Sequence, residues 1–337
     1  MKGRPSLTAA TMVAVACALV LGISALAGHP PGPALAAFAR AVAGSPYALF
    51  SQTLLRATPL ILVGLAVALA FRGGALNIGA EGQFYAGAIA ATWAGLHVAP
   101  LPKAVAIVVV LGAGAAAGLL WSALPAWLRA RFGVLEVITT LLLNFVAEAV
   151  VSWAVTGPLQ EARHAYPESD PIAASAHLPL LTGRLHLGFV LAILLALATW
   201  WFFARTRLGF EFRAAGAGPQ AAATVGRIPV TRRLAQALLV SGALAGFAGA
   251  VEVSGVSFAL FQNLSPGYGF TGIAVALLAR LDPRGVIVSG IFFGALEAGA
   301  AGMQRDAGVP SVVVYVVEAV VIIAVLIAGR RRDREMA

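Results

Sequence analysis

The 337-residue chain is 60% apolar and 11% charged, where an ordinary soluble domain carries roughly 25% charged residues. Most of its surface therefore does not face water. The net charge of +9 does not indicate nucleic acid, because the basic residues sit in short links between apolar runs. A single cysteine, Cys17, excludes a disulfide framework or a cysteine-built metal site within one chain.

Lys2 and Arg4 precede a first apolar run, 7–27; Ala25-Leu26-Ala27 has the form of a signal-peptide cleavage site, but the run is longer than a signal-peptide core, and the favoured of the two readings is a retained helix with its amino end in the cytoplasm. His29–Pro33 breaks the chain, and 34–45 is expected at the outer surface. Further spans follow at 52–71, 78–96, 104–124 and 134–155, with Trp127, Arg129 and Arg131 marking an interface after the fourth. The stretch 157–186 is polar, holds four prolines and three of the five histidines, and reads as an external loop with no ordered metal-ligand spacing. A sixth span, 187–203, leads to 205–233, where six arginines stand against one acid, Glu211. Within it, Gly218-Pro219-Gln220-Ala221-Ala222-Ala223 predicts a short helix with proline at its first position, closed by Gly226. Spans at 234–253, 270–279 (short), 286–301 and 309–328 complete the chain before an arginine-rich tail.

At about 20 residues per crossing, these runs give an all-α polytopic membrane protein of about ten transmembrane helices, some broken or short, as one domain. With both termini cytoplasmic, 17 of the 23 basic residues fall on the cytoplasmic side, which is the asymmetry that orients membrane proteins. A nine-residue segment, Gly64–Arg72, also resembles Gly272–Arg280, as two similar segments on either side of a central pathway would.

The most unusual stretch is Arg72-Gly73-Gly74-Ala75-Leu76-Asn77-Ile78-Gly79-Ala80-Glu81-Gly82-Gln83, a glycine-rich break between spans that carries polar groups at membrane depth. In a helix Asn77 and Glu81 would share a face, as would Asn144 and Glu148. Intramembrane acids and amides either bind broken helix ends or line a pathway. Tyr268 and Phe270 either anchor at the interface or stack on a ring-shaped solute. Glu136 is expected to pair with Arg131. No Gly-x-Ser-x-Gly, His-Glu-x-x-His or phosphate-binding Gly-x-x-x-x-Gly-Lys-Ser/Thr motif is present, so no catalytic residues are assigned and any ATPase must be another polypeptide.

Phe71–Gln83, Glu136–Asn144, Gly267–Leu278 and Ala300–Gln304 together resemble the permease subunits of bacterial ABC importers in the branched-chain amino acid/simple sugar superfamily, and most of all its nucleoside-type branch. The resemblance covers roughly 54–326. It implies a type II importer permease fold in the bacterial inner membrane, working by alternating access on nucleosides, with simple sugars such as ribose as the alternative and a stand-alone secondary transporter behind both. It implies a second permease, identical or paralogous, a cytoplasmic ABC ATPase and an extracytoplasmic solute-binding protein. No cofactor belongs to this chain; ATP and Mg act on the ATPase. The pathway residues implied are Asn77, Glu81, Gln83, Asn144, Glu148, Tyr268 and Phe270. The coupling helix falls in 208–226, where Gly216, Pro219, Ala221 and Ala222 match a Gly-x-x-Pro-x-Ala-Ala pattern, flanked by Arg213, Gly218, Gln220 and Gly226. Gly218 stands where the family usually has asparagine, and Arg227 where it often has an apolar residue.

Overall fold

The computed structural model describes residues 30–309, together with Gly22 and Val316. The expected spans at 7–27 and 309–328 lie almost wholly outside these residues. The described chain is helical nearly throughout: α1 (Pro31–Ala43), α2 (Pro46–Ala48), a π-turn over Leu49–Thr53 that runs into α3 (Leu54–Arg72), α4 (Ala80–His97), α5 (Lys103–Phe132) and α6 (Glu136–Thr156). Two short strands, β1 (Leu180–Thr182) and β2 (Leu185–His186), precede α7 (Gly188–Arg205), α8 (Arg207–Ala217), α9 (Pro219–Thr224) and α10 (Val230–Glu252). A second π-turn, α11 (Tyr268–Leu278) and α12 (Pro283–Ala307) follow.

Six of these helical segments are long and apolar enough to cross a membrane: 46–72, α5, α6, α7, α10 with its π-turn, and α12. The chain is an all-helical, polytopic membrane protein. The segment 34–45 forms most of α1, with Ala34, Ala37 and Ala41 buried along one face. One expectation is corrected. The fourth span does not stop before Trp127; α5 runs on through Arg129 and Arg131. Pro125 removes one backbone donor without ending the helix, whereas Gly133, at φ 69°, turns its N–H back to the Arg129 carbonyl and closes it.

The chain sorts into two compact units. The described part of the first ends at Ala57 and resumes over Thr182–Leu185 and from Ile291. Small residues let its helices touch: a Cβ on Gly302 would lie 2.2 Å from the Ala41 Cβ, and one on Gly299 2.2 Å from the Phe38 ring.

The second unit, Thr58–Leu181 with His186–Gly290, is built around α10, which lies against α4 and α5. A Cβ on Gly87 would come 2.1 Å from the Gly246 carbonyl oxygen, and one on Gly118 2.2 Å from that of Gly242. Lipid tails give helices little hydrophobic reason to associate, so this backbone-to-backbone approach supplies the packing. Gly246→Leu should force these helices apart and cost about 3 kcal/mol or more, read as a lower melting temperature and loss of monodisperse protein in detergent. Gly112→Ala, at a position with nothing within 4 Å, should leave both unchanged.

The two similar nine-residue segments also lie in this unit. They do not flank a gap. A Cβ on Gly64 would meet Val275 at 2.6 Å, one on Gly272 would meet Val63 at 2.7 Å, and Arg72 Nη1 donates to the Leu281 carbonyl at 3.2 Å. The segments run in the same direction and touch near their leading glycines, and the Arg72 side chain reaches the chain just past the end of the second.

His186, just before α7, is 1% exposed. Its Nδ1 accepts from the Gly188 N–H at 3.1 Å, and its ring lies so close to Gly255 that a Cβ there would sit 2.5 Å from Cε1. Burial pushes the imidazole down to about 4. A folded-state value below the usual 6.5 means full stability above pH 6.5, lost as pH falls toward 4 and worth about 3 kcal/mol in total. Melting curves from pH 7 to pH 4.5 should fall steeply for the native chain and less steeply for His186→Gln.

Candidate functional site

The break after α3 is built by glycine. Gly74 takes φ 84°, its N–H bonds to the Phe71 carbonyl at 3.1 Å, and the Ala75 N–H reaches back to the Ala70 carbonyl at 2.9 Å. This paired closure is how a helix satisfies its last carbonyls while reversing direction. The chain then runs without regular structure to Gly79, and α4 begins at Ala80.

Asn77 holds that irregular stretch. Its amide nitrogen donates to Gln83 Oε1 and to Ser241 Oγ, both at 2.8 Å, while its oxygen accepts from the Gly79 N–H at 2.9 Å and from Gln83 Nε2 at 3.2 Å. Ser241, on α10, donates its hydroxyl in turn to the Ala66 carbonyl at 2.7 Å. Asn77 and Gln83 are fully buried. Asn77 precedes α4 rather than lying on it, so it shares no helical face with Glu81.

α6 supplies the other wall. Asn144 accepts from the Gly82 N–H at 2.9 Å and donates to the Ile78 carbonyl at 3.0 Å. Thr140 Oγ1 accepts from the Ile78 N–H at 3.3 Å, and Glu136 Oε1 from the Leu76 N–H at 3.1 Å. The other carboxylate oxygen of Glu136 pairs with Arg129, not Arg131, because α5 continues far enough to bring Arg129 there. Three side chains one helical turn apart thus replace the backbone partners that the break lost.

Glu81 faces the opposite way. One carboxylate oxygen accepts the Gly269 N–H in the first turn of α11, where a Cβ on Gly269 would lie 2.3 Å from the Glu81 nitrogen. At 11 residues α11 spans ~16 Å, about half of a bilayer core. Its amino end carries unpaired N–H groups and a partial positive charge, which a carboxylate satisfies. Ser265 Oγ caps the same end, accepting from Tyr268 N–H at 2.9 Å and Gly267 N–H at 3.1 Å.

Above these groups is a cavity of about 350 Å³. Glu81, Tyr85, Glu148 and Ser152 line it from α4 and α6; Gln262, Asn263, Ser265, Gly267 and Phe270 line it from the irregular segment before α11 and its first turn. Of the expected pathway residues, Glu81, Glu148 and Phe270 therefore border one cavity. Asn77, Gln83 and Asn144 are sealed behind it. Tyr268 is buried with its ring edge-on to Phe84 at 5.7 Å. Tyr85, Ser152, Gln262, Asn263 and Ser265 were not singled out from sequence. The only signal for them was the Ser265-Pro266-Gly267 turn ahead of a short apolar run.

The arginine-rich segment contains the expected helix, α9, with Pro219 at its first position. It also contains α8, which was not expected. Thr206 caps α8 by accepting from the Gly209 N–H at 2.9 Å, and Phe212 and Ala215 turn inward. Glu211 accepts from Arg233 Nε at 2.8 Å and from Arg207 Nε at 3.1 Å, and these guanidinium hydrogen bonds, Arg233 foremost, hold its carboxyl below the usual range. The inner side of α8 touches the break directly: a Cβ on Gly216 would lie 2.4 Å from the Arg72 carbonyl oxygen and 2.8 Å from the Gly74 nitrogen. On α9, Pro219, Gln220, Ala221 and Ala223 are exposed and Ala222 is buried; Gly218 is half-buried, Gly226 exposed, and Arg213 partly buried on α8.

Residues 49–326 match the sequence profile of the branched-chain amino acid transport system permease component family. The chain belongs to this family. As a permease it is a transport subunit, not an enzyme, and a multi-pass protein of the cytoplasmic membrane. It is 36% identical over 322 residues to the guanosine ABC transporter permease protein of Bacillus subtilis, covering 91% of each chain. It is 38% identical over 285 residues to the glucose ABC transporter permease protein of Haloferax volcanii, covering 81% of this permease and 74% of that one. A nucleoside ABC transporter permease protein of Lactococcus lactis is 34% identical over 282 residues, 80% of this permease and 77% of the relative.

Proposed function

We propose that this permease forms the translocation pathway of an ATP-driven importer for nucleosides, by alternating access, as a type II importer permease. The observation that carries the reading is Glu148 at the cavity. It lies about two helical turns, ~12 Å, inside the end of α6, it is exposed, and it has no hydrogen-bond or ion-pair partner among the described residues. An unpaired carboxylate at that depth does not face lipid; it faces water, solute or a partner. The guanosine and nucleoside relatives favour nucleosides, and the glucose relative keeps simple sugars as the second reading.

In this arrangement the chain acts as one permease domain with about ten crossings and both termini in the cytoplasm. The 157–186 segment is external and meets a solute-binding protein. The 205–233 segment is cytoplasmic, and Arg213, Gly216, Gly218, Pro219, Gln220, Ala221, Ala222 and Gly226 form or support the surface that docks on an ABC ATPase, where ATP and Mg are bound. A second permease, identical or paralogous, completes the pathway. Asn77, Gln83 and Asn144 keep the broken helix in shape, and Glu81, Glu148 and Phe270 meet the solute.

Proteoliposomes containing the permease with its ATPase and binding protein should take up guanosine only when ATP is supplied. Gradient-driven guanosine flux through this chain alone would overturn the reading.

A further inference from the structure

Resting on the importer reading, we propose that Glu148 is a specificity-determining residue whose carboxylate accepts hydrogen bonds from the ring hydroxyls of an uncharged, sugar-containing solute.

The cavity lining holds two carboxylates, two amides and two serine hydroxyls, with no cationic side chain. The two carboxylates have divided roles. Glu81 is engaged by the Gly269 N–H at the start of α11, and a Cβ on Gly269 would collide with its backbone, so its position is fixed. Glu148 is on the same wall with both oxygens unengaged within the described chain. A carboxylate is an acceptor only, with room for about four hydrogen bonds, and its two oxygens match a pair of neighbouring hydroxyls. The nearby Ser152 hydroxyl already accepts from Gln262 Nε2 at 2.9 Å, so Glu148, charged and with both oxygens unengaged, is the stronger acceptor that α6 offers a ligand.

Phe270, 46% exposed at the mouth of α11, offers an apolar face beside these acceptors. Hydroxyl donors on one side and an apolar ring face on the other describe a sugar ring or a nucleoside. A phosphate ester fits poorly, because it would meet two carboxylates and no cation. The cavity is within the usual range for a small-molecule site. The engagement is also suited to transport, since one open carboxylate gives selectivity without the many contacts that would trap the solute.

The test is a substitution-by-substrate cycle in the complete reconstituted transporter with saturating binding protein. Initial ATP-driven uptake is measured for guanosine and for its 2′-deoxy and 3′-deoxy analogues, in the native permease and in Glu148→Gln. A hydrogen bond to a charged group corresponds to about tenfold or more in rate. Glu148→Gln should slow guanosine by about that factor and slow at least one deoxy analogue by no more than about twofold, so that the native preference shrinks. Because the binding protein is the same in both arms, its own selectivity cancels. An equal fall for all three solutes, or no fall for any, overturns the proposal. Absence of ATP-driven guanosine uptake by the native complex would instead overturn the importer reading for nucleosides, and the same cycle with glucose and 3-deoxyglucose then tests Glu148 on the sugar reading.

Discussion

Replacing Pro219, Gln220 and Ala221 together with glutamate should reduce ATP-driven uptake ~5- to 150-fold while the protein still inserts and the ATPase still turns over ATP. The range follows from a coupling free energy of about 1–3 kcal/mol between linked sites. These residues form the exposed side of α9, and Ala222 forms its buried side, so the substitution changes what a partner meets and leaves the packing intact. The path from that surface to the cavity is short. Gly218 joins α9 to α8, Gly216 on α8 leaves no room for a side chain against Arg72 and Gly74, and the stretch they begin carries Asn77 and Glu81. A displacement of α8 is therefore felt by the break directly, without a long relay. Uptake and ATP hydrolysis measured on the same proteoliposomes decide this: uptake at the native rate would exclude α9 as the coupling element.

Asn77→Ala should be the most destabilising single change in the break. It strips partners from the Gly79 N–H, from both ends of the Gln83 amide and from Ser241, all buried in a region no water reaches freely. A buried group left unpaired costs about 1–3 kcal/mol, so the loss should be about 3 kcal/mol or more, visible as a large drop in melting temperature in detergent. Asn144→Ala should act in the same direction and by less, since it frees only the Gly82 N–H and the Ile78 carbonyl. An unchanged melting temperature for Asn77→Ala would mean the break is not held by this amide.

The parts of the fold that could be read in advance are those governed by one strong local term. Apolar length places the spans, and Pro219 after Gly218 starts α9. The glycine pair at Gly73 and Gly74 ends α3, because only glycine enters the left-handed conformation without strain. What could not be read depends on contacts between distant segments. α8 was hidden because its arginines and its glycines, Gly209 and Gly216, suggest a loop; the helix is recovered by the Thr206 cap and by Phe212 and Ala215 facing inward. Gly64–Arg72 and Gly272–Arg280 pack against each other, each leading glycine opposite a valine of the other helix, rather than forming two banks of a channel. The polar residues divide in the same way. Sequence marks Asn77, Glu81, Gln83, Asn144 and Glu148 alike as costly in lipid, but only tertiary structure separates the amides that repair the broken backbone from the carboxylates that border the cavity.

On the importer reading, this cavity lies on the route of the solute. The native chain has one cysteine, Cys17, so a Cys17→Ser background carrying Glu148→Cys presents a single thiol at the cavity. Sealed vesicles holding the complete transporter are treated from outside with a membrane-impermeant maleimide, with and without excess guanosine, and then assayed for uptake. The expected result is labelling at that thiol, slowed by guanosine, and loss of the uptake that remained before treatment. A thiol that stays unlabelled through repeated turnover, or that labels fully without changing uptake, would contradict it.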